Sequence, residues 1–319
     1  MKIALAQINP IVGDITGNAN LIGHSIDEAR EMGARLVVFP ELSIIGYPPK
    51  DLLLKPAVID QCVAAVTQLA ERCRDVAAII GYPCPAGDQV GRTLHNACAF
   101  CHQGQIVHRH VKSLLPSYDV FDEQRYFEPG LKVDLASWEN VQLGISICED
   151  LWNDQELLAR QLYHDNPIRD LAEQGASLFI NCSASPFVLH KHAFRLKLFR
   201  SAAKKHRLPL LYCNQVGGND ELVFDGNSCA FDGDGQLIAH AKDFEADLLL
   251  VDLPLHNSSG SASPESPDLD PRQVSRIEAP RNDIESVFHA LVLGLRDYCR
   301  KCRFESIVMG LSGGIDSSV

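Results

Sequence analysis

An apolar run that ends at a cysteine constrains this chain more than any other feature. Residues 144–147 (GISI) predict a buried strand, and Cys148, Glu149 and Asp150 follow it directly. Strands of α/β proteins end in this way where they deliver a nucleophile to the edge of a sheet. A free cysteine is, however, more often a small buried apolar side chain. Cys148 alone therefore leaves both interpretations open.

The composition favours a globular protein that binds neither nucleic acid nor membranes. The chain has 319 residues, of which 46% are apolar and 22% charged, which suits one large or two medium domains. A net charge of -12 argues against nucleic-acid and membrane surfaces. Since no secretory signal precedes the first strand and no apolar stretch reaches about 18 residues, we expect a cytoplasmic protein with reduced cysteines.

Paired cysteines raise the alternative of a metal site. Cys98 and Cys101 form one C-x-x-C pair, and Cys299 and Cys302 form another far along the chain. The first pair lies on a predicted strand, where its two side chains point to opposite faces. A structural zinc site needs four ligands, and the histidine spacings match no metal motif. We therefore predict no metal in the first domain.

The pattern of elements predicts an α/β fold with mixed sheets and helices outside them. Strands are predicted over residues 2–9, 35–39, 76–81, 94–101, 105–111, 131–135, 141–147, 177–181, 209–214, 228–231, 236–241 and 248–253. Helices are predicted over residues 21–32, 57–73, 167–174 and 189–206, and residues 216–227 are predicted to be a loop. The first strand, helix and strand form a β-α-β unit, so Glu41 should lie at the carboxyl end of a parallel strand.

The last part of the chain changes character. Residues 256–280 are rich in Ser and Pro and predict a linker. A helix over 283–300, a strand over 306–309 and a glycine-rich loop follow, and a domain that ended there could not fold alone. We therefore expect a fragment of a longer protein, with a first domain over 1–254, a linker over 255–282 and the start of a second domain over 283–319.

Three reactive side chains are predicted at strand ends: Glu41, Lys112 and Cys148. Glu41 could take the thiol proton and later activate water. Lys112 could stabilise the thiolate and then the oxyanion of a tetrahedral intermediate. The alternative is that the glutamate and the lysine are solvated surface groups, which is common at the junction of a strand and a loop.

The residues around these three resemble a known family. Residues 39–47 (FPELSIIGY), the stretch 112–127 that begins KSLLP, and residues 147–152 (ICEDLW) are similar, in this order, to the signature blocks of the nitrilase (carbon–nitrogen hydrolase) superfamily. The resemblance spans about residues 2–253. It implies a four-layer αββα sandwich and an amidase without a cofactor, in which Glu41, Lys112 and Cys148 are the catalytic residues.

A second resemblance, at the end of the chain, narrows the set of similar families. Residues 312–317 (SGGIDS) are similar to the pyrophosphate loop of ATP pyrophosphatases, in which backbone N–H groups bind phosphate at a helix start. The lysine of a Walker A loop is absent. A nitrilase-like domain followed by this loop resembles the glutamine-dependent NAD synthetase family. The ATP-binding residues that this implies are Gly310, Ser312, Gly313, Gly314, Asp316 and Ser317.

In that family ammonia from L-glutamine is used to aminate nicotinate adenine dinucleotide, with ATP and Mg²⁺ as substrate. The resemblance therefore implies these partners, a Rossmann-like second domain of which residues 306–309 are the first strand, and a homo-oligomer. The alternative functions are a stand-alone amidase that acts on another small ω-amide, and a module of this fold without catalytic activity.

Glutamine contacts are also implied by the resemblance. Residues 181–187 (NCSASPF) and the lysine that follows resemble the family's glutamine-binding segment, which implies Ser185 and Lys191, with Arg195 as a second candidate cation. Tyr118 matches the binding tyrosine after the catalytic lysine. Glu123 resembles the family's additional acid beside that lysine, and Glu149 is expected to support the nucleophile. For Lys191 and Arg195, the alternative is the solvated face of a helix.

Overall fold

The computed structural model describes residues 1–87, 90–153, 157, 162–253 and 275–318. The strands of these residues are Lys2–Gln7 (β1), Leu36–Val38 (β2), Ala77–Pro85 (β3), Leu94–His102 (β4), Gln105–Val111 (β5), Ala136–Trp138 (β6), Val141–Ile147 (β7), Leu178–Ser183 (β8), Leu210–Asn214 (β9), Val216–Asn219 (β10), Leu222–Asp225 (β11), Cys229–Phe231 (β12), Leu237–His240 (β13) and Asp247–Asp252 (β14). The helices are Ile15–Glu31 (α1), Pro56–Arg72 (α2), Pro167–Glu173 (α3), Lys191–His206 (α4), Asp283–Lys301 (α5) and Ile315–Ser318 (α6).

Two six-stranded sheets form the centre of the fold. The first has the order β14-β1-β2-β3-β4-β5 and the second β13-β12-β9-β8-β7-β6. In the first sheet β1, β2 and β3 are parallel, and in the second β7, β8 and β9 are parallel. The remaining pairs are antiparallel, so the predicted mixed sheets are confirmed.

Side chains that alternate between the two faces of each strand build three apolar layers. In β1, Ile3 and Leu5 belong to the core between the two sheets, whereas Ala4 and Ala6 belong to the core that includes α1 and α2. A third core joins the second sheet to α3 and α4. Side chains of a strand point alternately to opposite faces, so each central strand contributes to two layers. The four-layer αββα arrangement is confirmed.

Strand direction brings the predicted catalytic residues toward one edge. Because β4 is antiparallel to both β3 and β5, β5 runs in the same direction as β2 and β3. Glu41 follows the end of β2 and Lys112 follows the end of β5, so both leave the sheet at the same edge.

Three elements differ from their predictions. Helix α1 begins at Ile15 rather than at residue 21, because the Asp14 side chain caps it by accepting a hydrogen bond from the Gly17 N–H at 2.9 Å. Residues 216–227 were predicted as a loop, but β10 and β11 form a hairpin within them. Residues 131–135 are not a strand, since the partner of β7 is instead Ala136–Trp138.

The predicted strand over 306–309 is also wrong for the described residues. These residues are exposed, and no described strand pairs with them. An extended segment needs a neighbouring strand to satisfy its backbone N–H and C=O groups. Short helix α6 does follow the glycine-rich loop, as expected.

Most of the predicted linker, residues 255–274, lies outside the described residues. Residues 276–278 lie against the first domain, where Arg276 and Glu278 exchange backbone hydrogen bonds with His240. Helix α5 packs on the β10–β11 hairpin, and its Asp297 carboxylate accepts hydrogen bonds from the Gly218 N–H and the Asn9 amide. The helices in the described residues include none with the length and apolar character that a membrane span requires.

A buried ion pair joins α4 to this hairpin. Arg195 of α4 is fully buried, and its Nη2 donates to the two carboxylate oxygens of Asp225 in β11 at 2.8 and 3.0 Å. Removing one partner of such a pair leaves an uncompensated buried charge, which is costly. The pair therefore makes the packing of α4 on the hairpin depend on Asp225.

We predict that Asp225→Ala lowers the free energy of unfolding by about 3–5 kcal/mol, because Arg195 then stays buried without a counter-charge. Urea denaturation measures this loss. In the double variant Arg195→Met/Asp225→Ala the loss should be clearly smaller than the sum of the two single variants. A loss below about 1 kcal/mol for Asp225→Ala would contradict the assignment, since that is the range of an exposed pair.

Candidate active site

Glu41 reaches the site because a glycine lets its segment approach the neighbouring strand. A Cβ on Gly81 of β3 would lie 2.4 Å from the Pro40 carbonyl oxygen and 2.5 Å from the Leu42 nitrogen. Only a residue without a side chain permits this close contact. The Glu41 side chain is fully buried, so the alternative of a solvated surface group is wrong.

Lys112 lies between two carboxylates. Its Nζ donates to Glu41 Oε1 at 2.7 Å and to Glu123 Oε1 and Oε2 at 2.8 and 2.9 Å. Lys112 is fully buried, and burial alone would lower its pKa, but Glu123 and Glu41 hold that pKa well above its usual range. Lys112 is therefore an ammonium ion with a fixed position.

Cys148 follows the last residue of β7 in a sharp turn. Its φ is 42°, in the left-handed region, and its side chain is 5% exposed. Asp150 fixes this turn, because its carboxylate accepts hydrogen bonds from the Ile147 N–H at 2.9 Å and from the Ser113 and Leu114 N–H groups at 3.0 and 2.8 Å. One carboxylate thus ties the segment of Cys148 to the residues that follow Lys112.

The thiol of Cys148 needs a base. Burial and the nearby Glu41 carboxylate raise the pKa of Cys148 well above its ordinary value, and the Lys112 ammonium offsets only part of this effect. The thiol is therefore protonated at neutral pH. Glu41 holds one oxygen toward Lys112, and its other oxygen, Oε2, accepts a hydrogen bond from the Ala184 N–H at 3.0 Å.

Two residues of this cluster were not predicted. Asn96 of β4 donates from Nδ2 to Glu41 Oε1 at 2.7 Å and to Glu123 Oε2 at 3.3 Å. Tyr47 donates its hydroxyl to Glu123 Oε1 at 2.9 Å. The only signal for Asn96 was an amide within an apolar strand, where a buried polar group needs partners. Burial raises the pKa of Glu123 to about 7, against the opposing effect of Lys112.

The predicted substrate contacts form a second group around Glu149. The Tyr118 hydroxyl donates to Glu149 Oε1 and Oε2 at 2.8 and 3.0 Å, and the Tyr163 hydroxyl donates to Oε1 at 3.1 Å. The Lys191 Nζ lies 5.2 Å from the centre of the Trp152 ring. Burial raises the pKa of Glu149, whereas burial and Arg195 lower that of Lys191. Tyr163 was missed, since the sequence showed only a polar stretch.

The other residues that were predicted to bind glutamine or ATP lie in separate parts of the structure. Ser185 is buried directly after Ala184, and its N–H donates to Asn214 Oδ1 at 2.8 Å. Arg195 is bound to Asp225, so it does not serve as a second cation for substrate. The predicted ATP loop follows α5 instead of joining this cluster. Its residues 310–316 are exposed, with open space where a Cβ on Gly310 or Gly313 would lie.

Within the described part of the chain, no group of three or more His, Cys, Asp or Glu side chains is arranged to hold a metal ion. Cys98 and Cys101 lie in two different apolar layers, on opposite faces of β4.

Comparisons with known proteins assign the family. The model of the carbon-nitrogen hydrolase family matches residues 2–260. The chain belongs to the carbon–nitrogen hydrolase family. The model of the NAD synthase family matches residues 287–319, so this family member carries sequence similar to a second family after its hydrolase region.

Relatives of this family member resemble both regions. The chain is 43% identical to the glutamine-dependent NAD(+) synthetase of Synechocystis sp. over 99% of its own length and 56% of the relative's. It resembles the solved structure of glutamine-dependent NAD+ synthetase from Acinetobacter baumannii with ADP at a TM-score of 0.84 and 31% identity, over 99% of this chain and 55% of that one. The chain thus spans about half the length of these relatives.

A smaller relative matches the hydrolase region. A mutant amidase from Nesterenkonia sp. AN1 is 27% identical with a TM-score of 0.67, over 80% of this chain and 93% of that one. Its structure shows the result of Michael addition of acrylamide at the active site cysteine.

We predict a pH-dependent loss of stability from Glu123. Unfolded, its carboxyl would release the proton near its ordinary pKa of 4.5, whereas the folded protein retains the proton up to about pH 7. The folded state then binds more protons between these values, so the free energy of unfolding falls by about 3 kcal/mol as pH rises through the window. Urea denaturation of the wild type and of Glu123→Gln, compared at pH 4.5 and 7.5, isolates this contribution.

Because Glu123→Gln removes the titrating group, its stability should change less over the same pH interval. An equal change in the two proteins would show that Glu123 does not retain its proton.

Proposed function

We propose that this chain is the glutamine-hydrolysing part of a glutamine-dependent NAD synthetase, with the beginning of its ATP-binding domain. The observation that carries the proposal is the buried Lys112 ammonium, which contacts Glu41 and Glu123 beside the thiol of Cys148. Similarity over nearly the whole chain to proteins of that name supports the choice of glutamine.

The first half of the reaction forms a thioester. Glu41 takes the proton of the Cys148 thiol as the sulfur attacks the carbon of the glutamine carboxamide. The negative charge that develops on the carboxamide oxygen is stabilised by the Lys112 ammonium. The C–N bond then breaks, the nitrogen takes the proton back from Glu41, and ammonia leaves.

The second half regenerates the thiol. Glu41 takes a proton from water, whose oxygen attacks the thioester carbon. The C–S bond breaks, and the proton passes from Glu41 to the departing thiolate. Glutamate is released, so one glutamine and one water give one glutamate and one ammonia.

Charge complementarity supports an amino acid as substrate. Glutamine carries an α-ammonium and an α-carboxylate, and the group around Glu149 offers one charge of each sign. Glu149, supported by Tyr118 and Tyr163, suits the ammonium, and Lys191 suits the carboxylate. Ser185, one residue after the Ala184 N–H that binds Glu41, is close enough in sequence to contribute a further polar contact.

The glycine-rich loop supports the second half of the proposed function. We infer that Gly310, Ser312, Gly313, Gly314, Asp316 and Ser317 would hold the phosphates of ATP. The glycines of this loop and the helix that starts at Ile315 suit a phosphate group. Bound ATP with Mg²⁺ would activate nicotinate adenine dinucleotide for attack by ammonia. A homo-oligomer in the cytoplasm remains part of this proposal.

The alternative of a stand-alone amidase for another small ω-amide has less support. The amidase from Nesterenkonia sp. AN1 corresponds to 80% of this chain, and the NAD synthase match over residues 287–319 would then be without a role.

We predict that the protein hydrolyses L-glutamine and that Cys148→Ala and Glu41→Gln lower the rate at least about 100-fold, because one removes the nucleophile and the other the base. Ammonia release measures the rate. A diazoketone analogue of glutamine should label Cys148 stoichiometrically in the wild type and not in Cys148→Ala. Faster turnover of simple amides than of glutamine would favour the amidase, and an unreactive Cys148 would contradict catalysis altogether.

We predict that Lys191→Met raises KM for glutamine about 10- to 100-fold with a smaller effect on kcat, since it removes a charge-assisted hydrogen bond to the α-carboxylate. Steady-state kinetics with glutamine measure this change. Hydrolysis of a simple amide without a carboxylate provides the control, because it should change little. An equal loss on both substrates would contradict the assignment of Lys191 to the carboxylate.

A further inference from the structure

Asn96 touches every part of the buried ion cluster. Its backbone carbonyl accepts the Lys112 N–H at 2.9 Å, and its side-chain Nδ2 faces Glu41 Oε1 at 2.7 Å and Glu123 Oε2 at 3.3 Å. The residue is fully buried in β4. An amide nitrogen has two hydrogens, so Asn96 can donate one to each carboxylate.

The ion cluster contains more carboxylates than ammonium groups. Glu41 and Glu123 both contact the single ammonium of Lys112. Because two carboxylates on one ammonium repel each other, their like charges favour retention of a proton by one of them. The titratable groups that face the two carboxylates from the surrounding elements are Tyr47, Cys98, Lys112, Cys148 and Tyr163. None of these except Lys112 brings a positive charge. A hydrogen bond donated to a carboxylate is then the remaining way to favour the ionised form of that carboxylate.

Apart from Lys112, the other donors act on one carboxylate each. Tyr47 donates only to Glu123, and the Ala184 N–H donates only to Glu41. Among the described side chains, Asn96 is the one besides Lys112 that donates to both, and it is uncharged. Its bond to Glu41 is also the shorter of its two bonds, and it fixes the same oxygen that Lys112 binds. The other Glu41 oxygen is therefore the one left to exchange a proton with the reacting groups.

We propose that Asn96 is a positioning residue of the amidase reaction: its amide keeps Glu41 ionised and holds it in the orientation in which Oε2 serves as the base. This inference rests on the proposed function, because it assumes that Glu41 takes the thiol proton. The side-chain Oδ1 of Asn96 is buried without a hydrogen-bond partner in the described residues, which agrees with a residue retained for its donor.

The test compares Asn96→Leu with Tyr47→Phe. Asn96→Leu removes the donor to both carboxylates at nearly constant size and leaves the backbone carbonyl that binds Lys112. Tyr47→Phe removes one donor from Glu123 alone and is the matched control.

The pH dependence of kcat/KM for glutamine is measured for each variant. In Asn96→Leu the acid limb should move up by about one pH unit, which lowers the rate below that limb roughly tenfold. In Tyr47→Phe the acid limb should move less than half as far.

A second measurement does not depend on glutamine. The rate at which iodoacetamide alkylates Cys148 also requires removal of the thiol proton, so its acid limb should move in the same direction in Asn96→Leu. If the wild type does not hydrolyse glutamine, the proposed function fails, and the alkylation profile still decides the role of Asn96. If Asn96→Leu does not fold, Asn96→Asp has the same size, replaces the donor by an acceptor and should shift the limb further.

An unchanged acid limb in both measurements would overturn the proposal. So would a rate that falls by the same factor at every pH together with a lower melting temperature, because that is the signature of a purely structural residue.

Discussion

The structure depends on one ammonium ion held out of water between two carboxylates. Burying charged groups is costly unless they are paired and hydrogen-bonded. Lys112, Glu41 and Glu123 meet this condition through mutual contacts and through donors from Asn96, Tyr47 and the backbone of Ala184. Removal of Lys112 would leave two buried carboxylates without a counter-charge, so the cluster fixes the relative positions of the segments that carry it.

The two sheets supply those segments from opposite sides. Glu41, Asn96 and Lys112 belong to strands of the first sheet or directly follow them, while Cys148 and Ala184 follow strands of the second. Hydrogen bonds to Glu41 and Asp150 connect the two sets across the apolar layer. The apolar layer packs the two sheets together, and these polar contacts join them at their common edge.

Strand ends could be predicted from the sequence because apolar runs stop shortly before Glu41 and at Cys148, and because a hairpin pattern ends directly before Lys112. The β10–β11 hairpin could not, since Gly217 and Gly218 weaken the strand pattern, and Gly218 is required by close packing: a Cβ there would lie 2.9 Å from the Gly294 Cα. Asn96 and Tyr163 were missed for a related reason. Their roles are defined by partners distant in sequence, to which no local pattern points.

The left-handed backbone at Cys148 limits which side chains this position can carry. With φ at 42°, the Cβ is crowded against the main chain, and a second heavy atom on that carbon would add to the crowding. Serine has the same single branch as cysteine, whereas threonine and valine do not. The turn thus selects side chains by their shape, and serine could replace Cys148 here far more readily than threonine could.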